Sequence, residues 1–300
     1  MPTTPLKKYL KIHIHNLIIL FILIAVTFGN SLSNAFLSDD LAEIVNNPNI
    51  GNLSYAITSH PFGFIRLMFY WLAFQLGDLN PILFRLINIF FHTGSVLLIY
   101  VLFSTIFSKR LALFASAIFA IHPAISEAVV WISGGGYPQY TFFFLLSLLL
   151  YIFSSKRLFF YFLSSIFYIL SFMSHPQMPL ALILIFPFWE FAFGNLKRNW
   201  VKSVPFFLIA IVFVFNTLNS LPERETTLSS VHYQERGIDN PLILIPIAIS
   251  SYFELIMFPK TLTLYHSELA FGPVQFAVRS LITLLFLTSL LITFKKNKFL

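Results

Sequence analysis

Two carboxylates stand side by side at Asp39 and Asp40, directly behind an apolar run that ends at Phe36. Adjacent carboxylates oppose each other's ionisation, so such a pair can offer one charged member and one suited to moving a proton. A plainer role fits the same residues, a solvated pair opening a short helix over 40–46. A second polar concentration begins at His122-Pro123 and continues through Glu127 to Trp131-Ile132-Ser133-Gly134-Gly135-Gly136-Tyr137. Pro123 has no N–H to give a helix and should kink one, freeing backbone groups beside His122. His and Glu inside a membrane are functional candidates because burying them is costly. The alternative is a mutual hydrogen bond between His122 and Glu127 that locks the kink. Glycines at 134–136 allow a close backbone approach, either to a ligand or within a tight turn.

Other polar residues are spread along the same half of the chain's apolar segments: His60, Arg66, Arg85, Asn88, His92, His175, Lys260, Tyr265 and His266. His92, deep in an apolar run, suits a helix-to-helix hydrogen bond better than catalysis. No pair has the spacing of a metal-ligand set. The chain also lacks H-E-x-x-H, a serine elbow and a Walker loop, so the usual signatures of zinc hydrolysis, elbow-type acyl transfer and P-loop hydrolysis are missing.

The elements that must position these residues are membrane helices. With 57% hydrophobic and 10% charged residues and a mean hydropathy of +0.81, the 300-residue chain carries more apolar surface than a soluble core can hide. The composition predicts an all-α integral membrane protein, one polytopic domain over 1–300. Apolar runs of about 17 to 25 residues mark spans. They fall near 17–36, 81–107, 111–131, 138–155, 158–175, 179–194, 203–220 and 275–294, about eight transmembrane helices. The basic clusters Lys7/Lys8/Lys11, Lys109/Arg110, Lys156/Arg157, Lys197/Arg198/Lys202 and Lys295/Lys296/Lys298 then share one side. The positive-inside rule makes that side, and both termini, cytoplasmic. Of the 12 acidic residues, all but Glu190 fall on the other side, in outer loops 37–80 and 221–274 or at helix ends. The net charge of +7 thus follows topology and gives no reason to expect nucleic acid. Two further apolar stretches, 61–77 and 241–258, would invert this pattern if either crossed alone. They are expected to lie in the interface or re-enter it. The N-terminal apolar run is too long for a secretory signal and reads as a retained first span. Without cysteine there is no disulfide, Cys-ligated zinc or thiol nucleophile. Asn52-Leu53-Ser54 is an outward-facing glycosylation sequon.

Four stretches, in this order, resemble the membrane half of the C-type glycosyltransferases (GT-C fold), particularly protein O-mannosyltransferases with transmembrane helices and tetratricopeptide repeats. They are Asp39-Asp40 with Ile44-Val45-Asn46-Asn47; His60-Pro61 through Asn88 and His92; His122-Pro123 with Glu127 and Trp131-Ile132-Ser133-Gly134; and Pro259 to His266. The resemblance covers about residues 36–270. It implies inverting transfer of a sugar, mannose in such relatives, from a polyprenyl-phosphate donor to a protein or glycan acceptor on the outer face. It further implies that Asp39 or Asp40 is the general base, with His60, Arg66, His122 and Lys260 on the donor phosphate. Glu127, His175, Tyr265 and His266 would support the site. No cofactor is implied, and a divalent metal at the carboxylates is left open. The implied partners are the lipid-linked sugar, the acceptor and membrane lipid. A bacterial plasma membrane is the expected setting, with endoplasmic reticulum as the alternative. The chain departs from the family pattern at charged positions. Gly134-Gly135-Gly136-Tyr137 stands for Gly-Arg-x-Asp, His175-Pro176 for Lys-Glu, and His60 for an Arg before proline, and no tetratricopeptide repeats follow. Two other expectations therefore stand beside the enzyme: a transporter or flippase of lipid-linked sugar, and an inactive subunit that keeps the fold.

Overall fold

The computed structural model describes residues 6–154, 157–231, 241–257, 259, 262 and 272–296, and the regular structure among them is helical. The chain forms two compact units, Met1–Pro187 with Trp200–Thr217, and Phe188–Asn199 with Leu218–Leu300. The first contains α1 (Leu6–Phe28), α2 (Leu53–Ser59), α3 (Phe64–Gly77), α4 (Pro81–Ile106), α5 (Lys109–Ile121), α6 (Ser126–Val130), α7 (Gly136–Phe153) and α8 (Leu158–Ser174). Then follow α9 (Ile185–Phe193), α10 (Leu196–Asn199), α11 (Val204–Val231), α12 (Pro241–Met257) and α13 (Pro273–Lys296).

Local sequence sets the helix starts. The Asn80 side chain accepts from Ile82 N at 3.0 Å with Pro81 in the first helical position, which opens α4. Ser108 caps α5 through Leu111 N, and Asn52 caps α2 through Tyr55 N. Pro123 breaks the third apolar run as its chemistry requires, leaving α5 and the Pro123–Val130 stretch bent by 51°.

Among the described residues, four stretches, Lys8–Ser31, Pro81–Ile106, Ser133–Phe153 and Leu196–Pro222, are long and apolar enough to cross a membrane, and the bent pair makes a fifth if it is one span. The other expected spans fall on shorter apolar helices, Leu158–Ser174, Met178–Phe193 and Pro273–Ser289. A helix of 17 residues such as α8 reaches about 26 Å, against a hydrocarbon core of about 30 Å. The expected interfacial stretches are the 14-residue α3 and the 17-residue α12.

In the first unit Leu20, Ile24 and Phe28 of α1 pack with Val96 and Tyr100 of α4 and Ala112 and Ala120 of α5. A second cluster, Ile44, Tyr70, Ala73, Phe84 and Ile132, lies under the acidic turn. Large apolar side chains such as Phe90, Phe114 and Phe162 remain open on helix faces, as lipid contact allows. In the second unit α12 and α13 pair through Thr283, which donates to the Pro246 carbonyl at 3.1 Å, and through Arg279, which contacts Glu254 at 3.3 Å and also Ser251.

Candidate functional site

The break in the third apolar run creates a problem in hydrogen bonding, and its solution builds the site. Pro123 offers no N–H, and the N–H of Ala124 donates to Nδ1 of His122 at 3.2 Å. The Ala120 carbonyl therefore loses its helical partner and accepts from His92 Nε2 at 3.0 Å. Further along, a row of carbonyls is covered by side chains of α3 and α4. Arg85 Nε donates to Val130 O at 3.0 Å, and Asn88 to Trp131 O at 3.1 Å. Tyr70 donates to Ile132 O at 3.1 Å and Arg66 to Ser133 O at 3.0 Å. Arg85, 1% exposed, also donates to the carbonyls of Leu32, Asn34 and Ala35, so it ties this row to the chain entering the acidic turn. Positions 85, 88 and 92 share one helical face, which is why α4 can serve the whole break.

The acidic turn docks on the same segment. Asp40 is fully buried, and its Oδ1 accepts from Ser133 N at 2.8 Å and Ser133 Oγ at 2.7 Å. Its Oδ2 accepts from Leu37 N at 3.2 Å, while its own N–H donates to Leu37 O at 3.2 Å, closing the turn reciprocally. Ser38, inside this turn, has φ 53°, a left-handed conformation that costs a non-glycine residue about 1 kcal/mol. Asp39 is exposed, its nearest polar contact being Ser38 Oγ at 3.4 Å. The expected helix over 40–46 is a π-helical turn, Leu41–Val45, an element found often at functional sites. Asp40 makes no side-chain cap to it. The two carboxylates thus have opposite environments, and the solvated pair of the plainer expectation does not form.

From the π-helical turn Glu43 reaches Arg66, with Oε2 2.9 Å from NH1 and Oε1 accepting from NH2 at 3.1 Å. The two side chains are 29% and 32% exposed. Burial works against the Arg66 charge, yet Tyr70 and Glu43 more than offset it and hold the guanidinium above its ordinary pKa. Burial also pushes the Tyr70 phenol up, with Arg66 pulling the other way, so the hydroxyl stays a donor to Ile132. A Cβ on Gly136 would lie 3.0 Å from Ser174 O and 3.5 Å from both Arg66 Cδ and His175 Cδ2. One on Gly135 would lie 2.5 Å from Asn88 Oδ1. The triple glycine therefore allows close approach of the protein's own backbone and side chains. His175 packs against Tyr137 and Tyr140, with ring centroids 5.0 and 6.0 Å apart.

Of the residues singled out in the sequence, Asp39, Asp40, Arg66 and His175 gather around this centre. His60 is exposed and contacts Ser59. His122 caps the turn after α5, and Glu127 is exposed on α6. Lys260, Tyr265 and His266 lie outside the described residues. Ser133, Glu43, Tyr70, Arg85 and Asn88 complete the site. Ser133 was visible only as part of Trp131-Ile132-Ser133-Gly134, and Glu43 only as a third acid beside the pair. Among the described residues no three His, Asp or Glu side chains converge as a metal site.

The sequence is similar to those of known proteins. A Caenorhabditis elegans protein named Protein O-mannosyl-transferase F38B6.6 is 26% identical over 296 residues, covering 91% of this chain and 40% of its own length. Mouse and human Protein O-mannosyl-transferase TMTC1 are each 32% identical over 143 residues, 41% of this chain and 15% and 16% of theirs. The chain is related to proteins named as mannosyltransferases. It spans less than half the length of these relatives, which come from animals. No family model matches, and no solved structure matches.

Proposed function

We propose that this chain is a membrane glycosyltransferase that moves a sugar, mannose by the names of its relatives, from a polyprenyl-phosphate donor to a hydroxyl acceptor, with inversion. The observation that carries this reading is the division of the acidic pair, an exposed Asp39 held beside a buried, triply bonded Asp40. Such a turn presents one carboxylate in a fixed place without spending it on the fold. Asp39 takes the acceptor's hydroxyl proton as the acceptor oxygen bonds to the anomeric carbon, and the bond from that carbon to the phosphate oxygen breaks with its electron pair. The leaving phosphate needs no proton, and its developing charge is met by Arg66. An apolar groove of about 290 Å³ between α3 and α4, lined by Phe69, Leu72, Leu86 and Phe90 among others, offers the donor's chain a seat. Phe69 lies one helical turn from Arg66.

The basic clusters support a topology of eight spans with both termini cytoplasmic, which puts the acidic turn on the other face. An inactive subunit is the second reading, favoured by the replaced charged positions at His60, Gly134 to Tyr137 and His175. Purified protein in lipid, offered radiolabelled polyprenyl-phosphate sugars and a panel of acceptors, decides between the two. Transfer supports the enzyme, and donor binding without transfer across the panel supports the subunit.

A further inference from the structure

Arg66 and His175 converge near Gly136, and Arg66 holds an anion. A Cβ on Gly136, the first residue of the 18-residue helix α7, would lie 3.5 Å from Arg66 Cδ and from His175 Cδ2, so both side chains reach the start of that helix. That anion is the carboxylate of Glu43, held at the Arg66 guanidinium. Its hold is uneven. Oε1 accepts an aligned hydrogen bond from NH2, whereas Oε2, although 2.9 Å from NH1, has no donor aligned on it, because NH1 is aimed at the Ser133 carbonyl. A planar carboxylate therefore satisfies half of the Arg66 fork. A phosphate, with three oxygens in a tetrahedron, can address the fork from more directions. Glu43 also comes from the five-residue π-helical turn Leu41–Val45, closed by Asn46 N donating to Leu41 O at 2.8 Å. Rewinding this turn to α-helical register would carry Glu43 around the helix axis and off Arg66.

We propose that Arg66, His175 and the start of α7 form a phosphate seat that Glu43 occupies in the unliganded protein, so that Glu43 is an internal competitor of the phosphate-bearing substrate. The inference rests on the phosphate donor of the proposed function and adds its regulation: an empty site is kept closed by its own carboxylate, and the phosphate must displace it. The ligand chemistry is a phosphate ester, and its source is either a lipid or the aqueous phase.

The test is equilibrium binding to the full chain in lipid nanodiscs, with farnesyl phosphate, farnesol and inorganic phosphate as probes. Glu43→Gln removes the competing charge and is expected to tighten farnesyl phosphate about ten-fold, the equivalent of about 1.4 kcal/mol of relieved competition. Farnesol binding should not change. The gain should vanish in the Glu43→Gln/Arg66→Gln double variant. Glu43→Asp, one methylene shorter, should tighten binding in the same direction and serves if the Gln variant fails to fold. A matching gain with inorganic phosphate assigns the seat to phosphate itself, whereas a gain confined to farnesyl phosphate assigns it to a lipid phosphate. Unchanged or weaker binding in folded Glu43→Gln or Glu43→Asp overturns the proposal, as does an equal gain with farnesol. A binding gain without sugar transfer would leave this inference standing and remove the transferase. Transfer without a binding gain would do the reverse.

Discussion

Replacing Arg85 by methionine should loosen the acidic turn although Arg85 touches neither carboxylate. The guanidinium is 1% exposed and donates to four carbonyls, those of Leu32, Asn34, Ala35 and Val130. The Leu32 contact is long at 3.4 Å, and Asn34 and Ala35 lie at exposed residues where water can replace the donor. Val130 and one carbonyl of the 32–35 stretch are therefore counted as lost outright, at about 1–3 kcal/mol each. Removing the charge also removes a desolvation cost, which offsets part of the loss. The net expectation is about 3 kcal/mol. Arg85→Lys should cost about 2 kcal/mol, because one ammonium cannot serve carbonyls from two stretches as a planar fork does. Unfolding of the detergent-solubilised protein measures the stability. The chain has no cysteine, so a single Ser33→Cys reporter measures by its labelling rate how open the stretch before Asp39 has become. If Arg85→Met matched the wild type within about 0.5 kcal/mol and left labelling unchanged, the carbonyl clamp would not be what holds the turn.

Ser133→Ala removes the 2.7 Å hydroxyl bond to a fully buried carboxylate and should cost about 2 kcal/mol in the same unfolding assay, with Ser133→Thr closer to wild type. Gly135→Ala, whose Cβ would meet Asn88 Oδ1 at 2.5 Å, should displace Asn88 from the Trp131 carbonyl and lower stability by about 2 kcal/mol. At the Pro123 break, His92→Phe should orphan the Ala120 carbonyl and cost about 1–3 kcal/mol, read from the thermal midpoint of paired samples. Ser38→Val puts a β-branched residue at φ 53° and should cost about 1–2 kcal/mol, whereas Ser38→Gly should be near neutral.

What could be read from the sequence was what depends on neighbours along the chain. Apolar length located α4, α7 and α11, whereas α1 runs Leu6–Phe28 and so begins and ends earlier than the expected 17–36, and the missing N–H of Pro123 located the bend. The pair Asp39-Asp40 and the Trp131-Ile132-Ser133-Gly134 stretch were visible as concentrations of unusual residues. Their relation was not, because Asp40 and Ser133 meet across 93 positions. The same gap hid the division of labour in the pair, which depends on which carboxylate finds Ser133. Arg85 and Asn88 looked like stray polar residues on an apolar helix, because their partners are backbone carbonyls exposed only by a distant helix break. The π-helical turn has no simple residue signature, and it decides that Glu43 faces Arg66. His122 was marked by its place beside Pro123, and its ring nitrogen closes the local turn.

The most direct measurement is sugar transfer from radiolabelled polyprenyl-phosphate mannose by purified protein in lipid, comparing Asp39→Asn with Asp40→Asn and recording unfolding on the same samples. Asp39→Asn should keep wild-type stability and lose at least about 100-fold in transfer, as loss of a general base requires. Asp40→Asn turns one acceptor into a donor facing Ser133 or Leu37, and should lower stability first and activity with it. Wild-type transfer by a folded Asp39→Asn protein would contradict the assignment of the exposed carboxylate as the base.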